Sequence, residues 1–231
     1  DSEMLTKMRE SGCLHVTLAP ETGSERVLKE IIEKGKDFDL AQLKDCGALA
    51  HNLGLKVAAY FIIGLPGETR SEVQETINYA KELAKCGIDE VAFGLFIPLP
   101  GTPLWKVAKK KNQEMDFLDL LAVGDMNKAV SWNDYMDAEE LNSLRLKAYI
   151  GFHLTRMIYH PLLFMKSFFN VMRNIEETKT ERTLLQFIKH FGIKKKSTKK
   201  TLMKKEEKKK KKKLNEKSSD TADGISDGKE K

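Results

Sequence analysis

The 231-residue chain has only three cysteines, Cys13, Cys46 and Cys86, and they stand too far apart for any CxxC or CxxxCxxC pattern. No histidine pair at zinc-ligand spacing accompanies them. A zinc finger and a disulfide-stapled secreted scaffold are therefore excluded, and an odd, scattered set of thiols points to a reducing compartment. The plain reading is three small buried hydrophobes. Apolar runs are short as well: the longest near-continuous one, Val57 to Pro66, falls well below the roughly 20 residues that span a bilayer. Neither GxGxxG nor GxxxxGK[ST] occurs, which removes the dinucleotide fingerprint and the Walker phosphate loop. No Ser–His–Asp or metal-ligand set can be assembled from spacing. The sequence opens on Asp1 and a polar helical stretch, with no basic-then-apolar leader, and the expectation is a processed protein or a fragment.

What is present is a chain that is 41% hydrophobic and 32% charged, enough for one domain or one domain plus an appendage. The net charge of +6 is uneven. Residues 194–231 carry 16 Lys and 7 acids, so +9, while residues 1–193 come to −3. The basicity belongs to a low-complexity tail that is expected to be disordered.

Residues 1–112 read as a repeated strand-then-helix unit. Leu14 to Leu18 is a short strand pattern that runs into the loop Ala19-Pro20-Glu21-Thr22-Gly23, after which Ser24 is expected to cap a helix carrying Val27, Leu28, Ile31 and Ile32 on one stripe and ending at Gly35. A second helix is expected over Leu40 to Leu53. Leu55 to Ile63 is a dense apolar run, as in a strand buried on both faces of a parallel sheet. It ends in Gly64-Leu65-Pro66-Gly67-Glu68-Thr69, followed by a helix over Ser71 to Lys85, a third strand from Glu90 to Ile97, and the loop Pro98-Leu99-Pro100-Gly101-Thr102 with Pro103 opening a short helix. Repeated βα units imply a parallel sheet with right-handed crossovers, either about half of a barrel or a small open sheet, and in both the ligand sits at the carboxyl ends of the strands. Residues 113–135 read as irregular, Asp137 starts another helix, and Tyr149 to Met172 is rich in Phe, Leu and Met with a break at Pro161.

The chemistry should therefore lie in three loops. A carboxylate at Glu21 can accept from ribose hydroxyls or an amino group, or can be a solvated loop acid. The two glycines around Leu65-Pro66 hold a rigid backbone open to a ligand, while Glu68 or Thr69 can simply cap the next helix. Leu99 and Pro100 offer apolar surface for a flat ring. His15 and His51 read as ordinary surface or packing residues.

Taken in order, ETGSE, then GLPGET after a buried strand, then PLPGTPLW resemble the second half of the radical S-adenosylmethionine core, most closely the branch often preceded by a cobalamin-binding domain. The resemblance covers about residues 1–112 and implies an α/β fold, a parallel (β/α) partial TIM-type barrel, followed by a helical extension over 113–193 and the disordered Lys-rich tail over 194–231. It implies that Glu21 and Ser24 face the ribose or methionine part of S-adenosylmethionine. Ile63, Gly64, Leu65 and Pro66 would contact the adenine, and Leu99 and Pro100 would complete that pocket. Met136 to Tyr159 more loosely resembles the helical extension of the cobalamin-linked branch.

The family's chemistry depends on a CxxxCxxC motif that holds a 4Fe-4S cluster, whose open iron site binds S-adenosylmethionine and reduces it to a radical. That motif is absent here. The expectation is the carboxyl-terminal piece of a longer radical enzyme, inactive by itself, whose partners are the missing amino-terminal half and an electron donor such as flavodoxin or ferredoxin. The full-length protein would drive methylation, cyclisation or rearrangement of an unknown small-molecule substrate, with cobalamin the further cofactor that the resemblance implies, in the cytoplasm or at a membrane surface. Two other readings stay open at this point: a non-radical αβ binding module that uses LPG turns, and an interaction protein whose run Lys208 to Lys213 takes nucleic acid or an anionic membrane. The absence of any aromatic residue from 194 to 231 weakens single-stranded nucleic-acid binding.

Overall fold

A computed structural model describes residues 2–35, 37–111 and 130–175, with positions 177, 178, 181, 182, 185 and 186 after them. The expected irregular stretch from 113 to 129 and the expected disordered tail fall outside the described residues. Three parallel strands, β1 (His15–Glu21), β2 (Lys56–Ile63) and β3 (Glu90–Leu95), lie in the order β1-β2-β3. The helices are α1 (Ser2–Glu10), α2 (Leu40–Asn52), α3 (Arg70–Lys85), α4 (Pro103–Lys111), α5 (Ala138–Tyr159) and α6 (Pro161–Met172). Residues to Phe169 form one compact unit, and a second begins at Asn170. This is the α/β architecture of a partial barrel: each described βα unit returns to a parallel neighbour.

Most boundaries follow from local chemistry. The Asp137 carboxylate accepts the Glu140 N–H at 2.8 Å and starts α5 where the sequence places it. Glu72 accepts the Thr69 N–H at 2.8 Å and so caps α3. Tyr159 ends α5 before Pro161, whose ring cannot continue the hydrogen-bond ladder and instead opens α6.

Two local expectations are corrected. The helix expected after Ser24 does start at Glu25, but it winds as a π-helix over Val27–Ile31 and stops short of Gly35, with Val27 and Leu28 buried. Strand β1 also runs beyond Leu18 to Glu21. Leu18 pairs with Ala59 and Glu21 with Phe61, so one residue is extra, and Pro20, which has no N–H to give the ladder, lies within this bulge.

Among the described residues, helices cover one face of the sheet, not two. Along β2, Val57, Ala59, Phe61 and Ile63 are buried while Lys56, Ala58, Tyr60 and Ile62 stay half-exposed. The buried set joins Val73, Ile77, Ala80 and Ala84 of α3, Ala50 of α2, and Leu141, Leu144, Ala148 and Phe152 of α5 in one core. Phe61 stacks on Phe93 at 5.0 Å, and Tyr149 meets Phe93 edge-on at 5.3 Å. Each fully buried large side chain here contributes roughly 1.5–3 kcal/mol. The expected double burial of β2 fails because the described helices pack on one face only. Helix α5 does blunt the outer edge of β3, where the Phe93 N–H donates to the Tyr149 hydroxyl at 3.1 Å. No described helix is long and apolar enough to cross a membrane.

Candidate functional site

Parallel pairing brings the three loops to one edge of the sheet, at the carboxyl ends of β1, β2 and β3. The middle loop, Gly64 to Thr69, is the most tightly determined. Gly64 has φ +82° and Gly67 φ +76°, the left-handed region that glycine enters without steric cost. At Gly64 a Cβ would stand 2.7 Å from Leu141 Cδ1, so α5 closes against this turn. Ile63, Gly64, Leu65 and Pro66 are all buried. The backbone turn, and not a set of projecting side chains, is what this loop holds in place.

Glu68 organises the turn from within. Its side chain is fully buried, and Oε2 accepts the N–H groups of Gly64 at 2.6 Å and Leu65 at 3.1 Å. Oε1 has no hydrogen-bond partner among the described residues. Burial pushes this carboxyl up to about 7, against the pull of the two amides. Glu68 is thus neither a cap for α3 nor a solvated acid.

The same turn is braced from two distant parts of the chain. Arg26, just after the first loop, donates to the Gly67 carbonyl at 2.9 Å and holds Glu72 through Nε at 2.5 Å and Nη2 at 2.8 Å. That bidentate pair holds the Glu72 carboxyl down to about 2. From the other side, Asn133 Nδ2 donates to the carbonyls of Leu65 at 2.6 Å and Glu68 at 2.7 Å, and Asp134 accepts the Gly67 N–H at 2.7 Å. Asn133 Oδ1 takes the N–H groups of Tyr135 and Met136, and Trp132 is buried beside Phe96, Ile97 and Trp105. Asn133→Ala removes the donor for two carbonyls and should cost about 2 kcal/mol, read as a lowered urea midpoint with an unchanged slope.

The first loop lies against α3. Thr22 is fully buried with its hydroxyl 2.8 Å from that of Thr76, the Gly23 N–H donates to the same Thr76 oxygen at 2.9 Å, and Ser24 is buried behind them. A Cβ at Gly23 would stand 2.7 Å from the Glu75 carbonyl oxygen and 2.8 Å from Thr76 Cα, both backbone atoms that cannot swing away. Gly23→Ala should therefore lift this loop off α3 at a cost of about 1–3 kcal/mol, checked by thermal unfolding. Glu21, half-buried at the end of β1, has φ +68° and lies 3.6 Å from Lys34 Nζ. A non-glycine residue in this sparsely populated conformation is strained, and Glu21 carries that strain at the carboxyl end of β1.

The third loop differs. Leu99 and Pro100 stand exposed in a turn closed by the Thr102 hydroxyl, which donates to the Leu99 carbonyl at 2.7 Å. Phe96 extends the ladder by donating to the Ile63 carbonyl at 2.9 Å, which sets the start of this loop beside the Gly64 turn.

Sequence reasoning missed the bare sheet face. Register pairs Thr17 with Ala58, Tyr60 with Ala92 and Ile62 with Gly94, so these side chains share the face opposite the core. The period-two burial of β2 is the signal that finds them. It also missed Asn133 and Asp134, whose only mark is a Trp-Asn-Asp run before a helix start.

The thiols do not fit an iron–sulfur cluster. Cys13 donates to the His15 carbonyl before β1, Cys46 packs from α2, and Cys86 ends α3 before β3, so Cys13 and Cys86 lie at the opposite end of the strands from the loops. Burial pushes the Cys86 thiol up, which disfavours the thiolate a metal needs. No group of three metal-ligating side chains gathers among the described residues.

Residues 1–80 match the Radical SAM superfamily. Over 170 residues, 73% of this chain and 35% of the relative, the sequence is 34% identical to an uncharacterized methyltransferase of Pyrococcus horikoshii. It is 37% identical to cytidylyl-2-hydroxyethylphosphonate methyltransferase of Streptomyces wedmorensis over 110 residues, 45% of this chain and 20% of that protein. It is 24% identical to anaerobic magnesium-protoporphyrin IX monomethyl ester cyclase of Cereibacter sphaeroides over 162 residues, 69% of this chain and 24% of that protein. The chain thus spans about a third or less of the length of these relatives. Residues 1–80 of the α/β core thus carry radical S-adenosylmethionine superfamily sequence.

Proposed function

We propose that this chain supplies the adenine and ribose side of the S-adenosylmethionine site of a longer radical enzyme, and that the cluster ligands lie in a part of the polypeptide outside this sequence. The observation that supports it is the Gly64–Glu68 turn. Its backbone is fixed by Glu68 from inside, by Arg26 from the first loop and by Asn133 and Asp134 from the segment before α5. A turn whose polar groups are held this way is preorganised to present backbone and apolar surface to a flat ring at no ordering cost on binding. Glu21 at the neighbouring strand end is the carboxylate for the ribose or methionine part, with Ser24 buried behind it. Leu99 and Pro100, exposed on the third loop, would close over the ring.

The cluster, when held by the upstream part, supplies the electron for reductive cleavage of S-adenosylmethionine. This chain's residues bind and orient that molecule. The bare sheet face, with Thr17, Tyr60 and Ile62, is the side from which a small-molecule substrate would be approached. Methyl transfer and ring closure are the reactions named among the relatives, and the methyltransferase names favour the cobalamin-linked branch.

Two measurements test this. Photolabelling the longer protein with an azido-adenosyl analogue of S-adenosylmethionine should mark the peptide containing Leu65 to Arg70, and labelling confined to other peptides would overturn the assignment. Anaerobic reconstitution of this chain with iron and sulfide should yield no stoichiometric cluster absorbance. Loading near one cluster per chain would mean that the ligands are here after all.

A further inference from the structure

Helix α6 is inside out. At 3.6 residues per turn, Phe164, Phe168, Met165, Phe169 and Leu162 fall on one continuous arc of about 160°. Every one of them is exposed, from 37% at Phe164 to 84% at Leu162. On the other side Leu163, Ser167 and Val171 are half-buried and Asn170 is buried, its amide donating to Glu181 at 3.1 Å, so the bulkier apolar residues are the ones turned outward. A water-soluble helix arranges its residues the other way round, and a contiguous exposed patch of Phe, Leu and Met marks a surface that something covers.

Charge says what covers it. From Tyr149 to Ile175 the sequence contains no Asp or Glu. Arg156 is buried against Asp89, 3.1 Å away, and Lys166 stands exposed at the edge of the apolar arc. The same chain continues into residues 194–231, with 16 Lys and the uninterrupted run Lys208 to Lys213. An apolar helical face with Lys166 at its rim, joined in one chain to a polybasic segment, is the two-signal arrangement that holds a protein on an anionic bilayer. A protein partner would instead be met by a rim of mixed polar groups. The helix is 12 residues long, too short to cross a bilayer and suited to lying in its surface.

We infer that the outward face of α6, with Phe164, Phe168, Phe169, Leu162 and Met165 inserted among the acyl chains, docks this protein on an anionic membrane surface, and that the Lys-rich segment supplies the electrostatic second signal. This goes beyond the S-adenosylmethionine assignment and does not depend on it.

Sedimentation of the full chain with lipid vesicles tests the inference. It should bind phosphatidylcholine vesicles containing about one-third phosphatidylglycerol at least tenfold more tightly than phosphatidylcholine alone, with the difference shrinking in high salt. The triple variant Phe164→Ser, Phe168→Ser, Phe169→Ser should lose about tenfold in affinity for the anionic vesicles while keeping its far-ultraviolet dichroism. Changing Lys208 to Lys213 to Gln should reduce affinity separately. The variant Phe168→Trp provides a reading without the serine substitutions: its added emission over the parent should shift blue and be quenched by brominated acyl chains. Four outcomes would overturn the proposal. They are no preference for anionic vesicles, a triple variant that binds as the parent does, a tryptophan at 168 that stays unquenched on bound protein, and a dimer dissolved by the triple variant with no vesicle binding. Binding to nucleic acid with none to vesicles would assign the lysines elsewhere and overturn it too.

Discussion

Asp89→Ala is expected to lower the stability of the fold by about 3–5 kcal/mol, enough to unfold a marginal domain. Asp89 is buried just before β3 and ties together three elements. Its Oδ1 accepts from Lys56 Nζ of β2 at 2.9 Å and from Arg156 Nη2 of α5 at 3.1 Å, and its Oδ2 accepts the Val57 N–H at 3.0 Å. Arg156 is itself buried, its side chain 6% exposed. Removing the carboxylate takes the Asp89 counter-charge from a buried guanidinium and leaves a buried amide without its acceptor, and both penalties fall on one site. Lys56 is 27% exposed and can turn to solvent, so it adds little. Arg156→Leu in the Asp89→Ala background should recover part of the loss, because that part is the cost of a buried charge deprived of the Asp89 carboxylate and not the ion pair's own attraction. Urea unfolding followed by circular dichroism measures all three. A loss below about 1 kcal/mol in Asp89→Ala would show that Arg156 finds water or another acceptor and that the triad does not anchor α5.

The second large effect is a pH dependence centred on Glu68. Its folded carboxyl titrates at about 7 in place of 4.5 because burial disfavours the charge. Between those values the folded state holds a proton that the unfolded state has released. The stabilisation is therefore complete below about 4.5, declines as pH rises, and is gone above about 7. The charged groups facing it are Glu72, which raises its titration, and Arg26, which lowers it. Glu72 acts in a different window: held down to about 2 by Arg26, it adds stability above 4.5 and loses it as pH falls below that. Glu68→Gln keeps an oxygen for the Gly64 and Leu65 amides and cannot ionise. Its stability relative to the parent should improve by about 3 kcal/mol between pH 4 and pH 8. Because the comparison is a difference, the groups common to both proteins cancel, including His51 and His153, whose titrations burial lowers. Glu68→Ala removes the acceptor and should cost about 2–4 kcal/mol at pH 5. A pH-independent difference between Glu68→Gln and the parent would mean that Glu68 titrates as an ordinary surface acid.

Together the two predictions separate the ends of the sheet. Asp89 joins α5 to the amino-terminal ends of β2 and β3, whereas Glu68, Arg26 and Asn133 shape the turn at the carboxyl end. A defect in the first should lower stability with the ligand edge intact. A defect in the second should alter the loop that is proposed to take adenine.

Much of this was legible from residues alone because its causes are local. Period-two and period-3.6 patterns come from neighbours one to four positions apart, and they placed three parallel strands and the helices between them to within a few residues. Asp137 caps α5 and Pro161 divides it from α6 for reasons confined to a single turn. The three loop motifs are likewise short contiguous strings, and they pointed to the radical S-adenosylmethionine core before any fold was in view. The missing cysteine motif is a sequence property in full.

Tertiary structure decided whatever depends on which distant groups meet. Glu68 read as a helix cap, and only the closed turn shows it buried on its own loop's amides. Asn133 and Asp134 brace residues more than sixty positions earlier, and Arg156 reaches Asp89 across 67 positions. The apolar run of β2 predicted burial on both faces, since a string of Val, Ala, Tyr, Phe and Ile cannot say whether one helical layer or two will cover it. The outward face of α6 carries the same ambiguity, because Phe, Leu and Met describe a surface that wants covering, and only the packed chain shows on which side no described residue covers it.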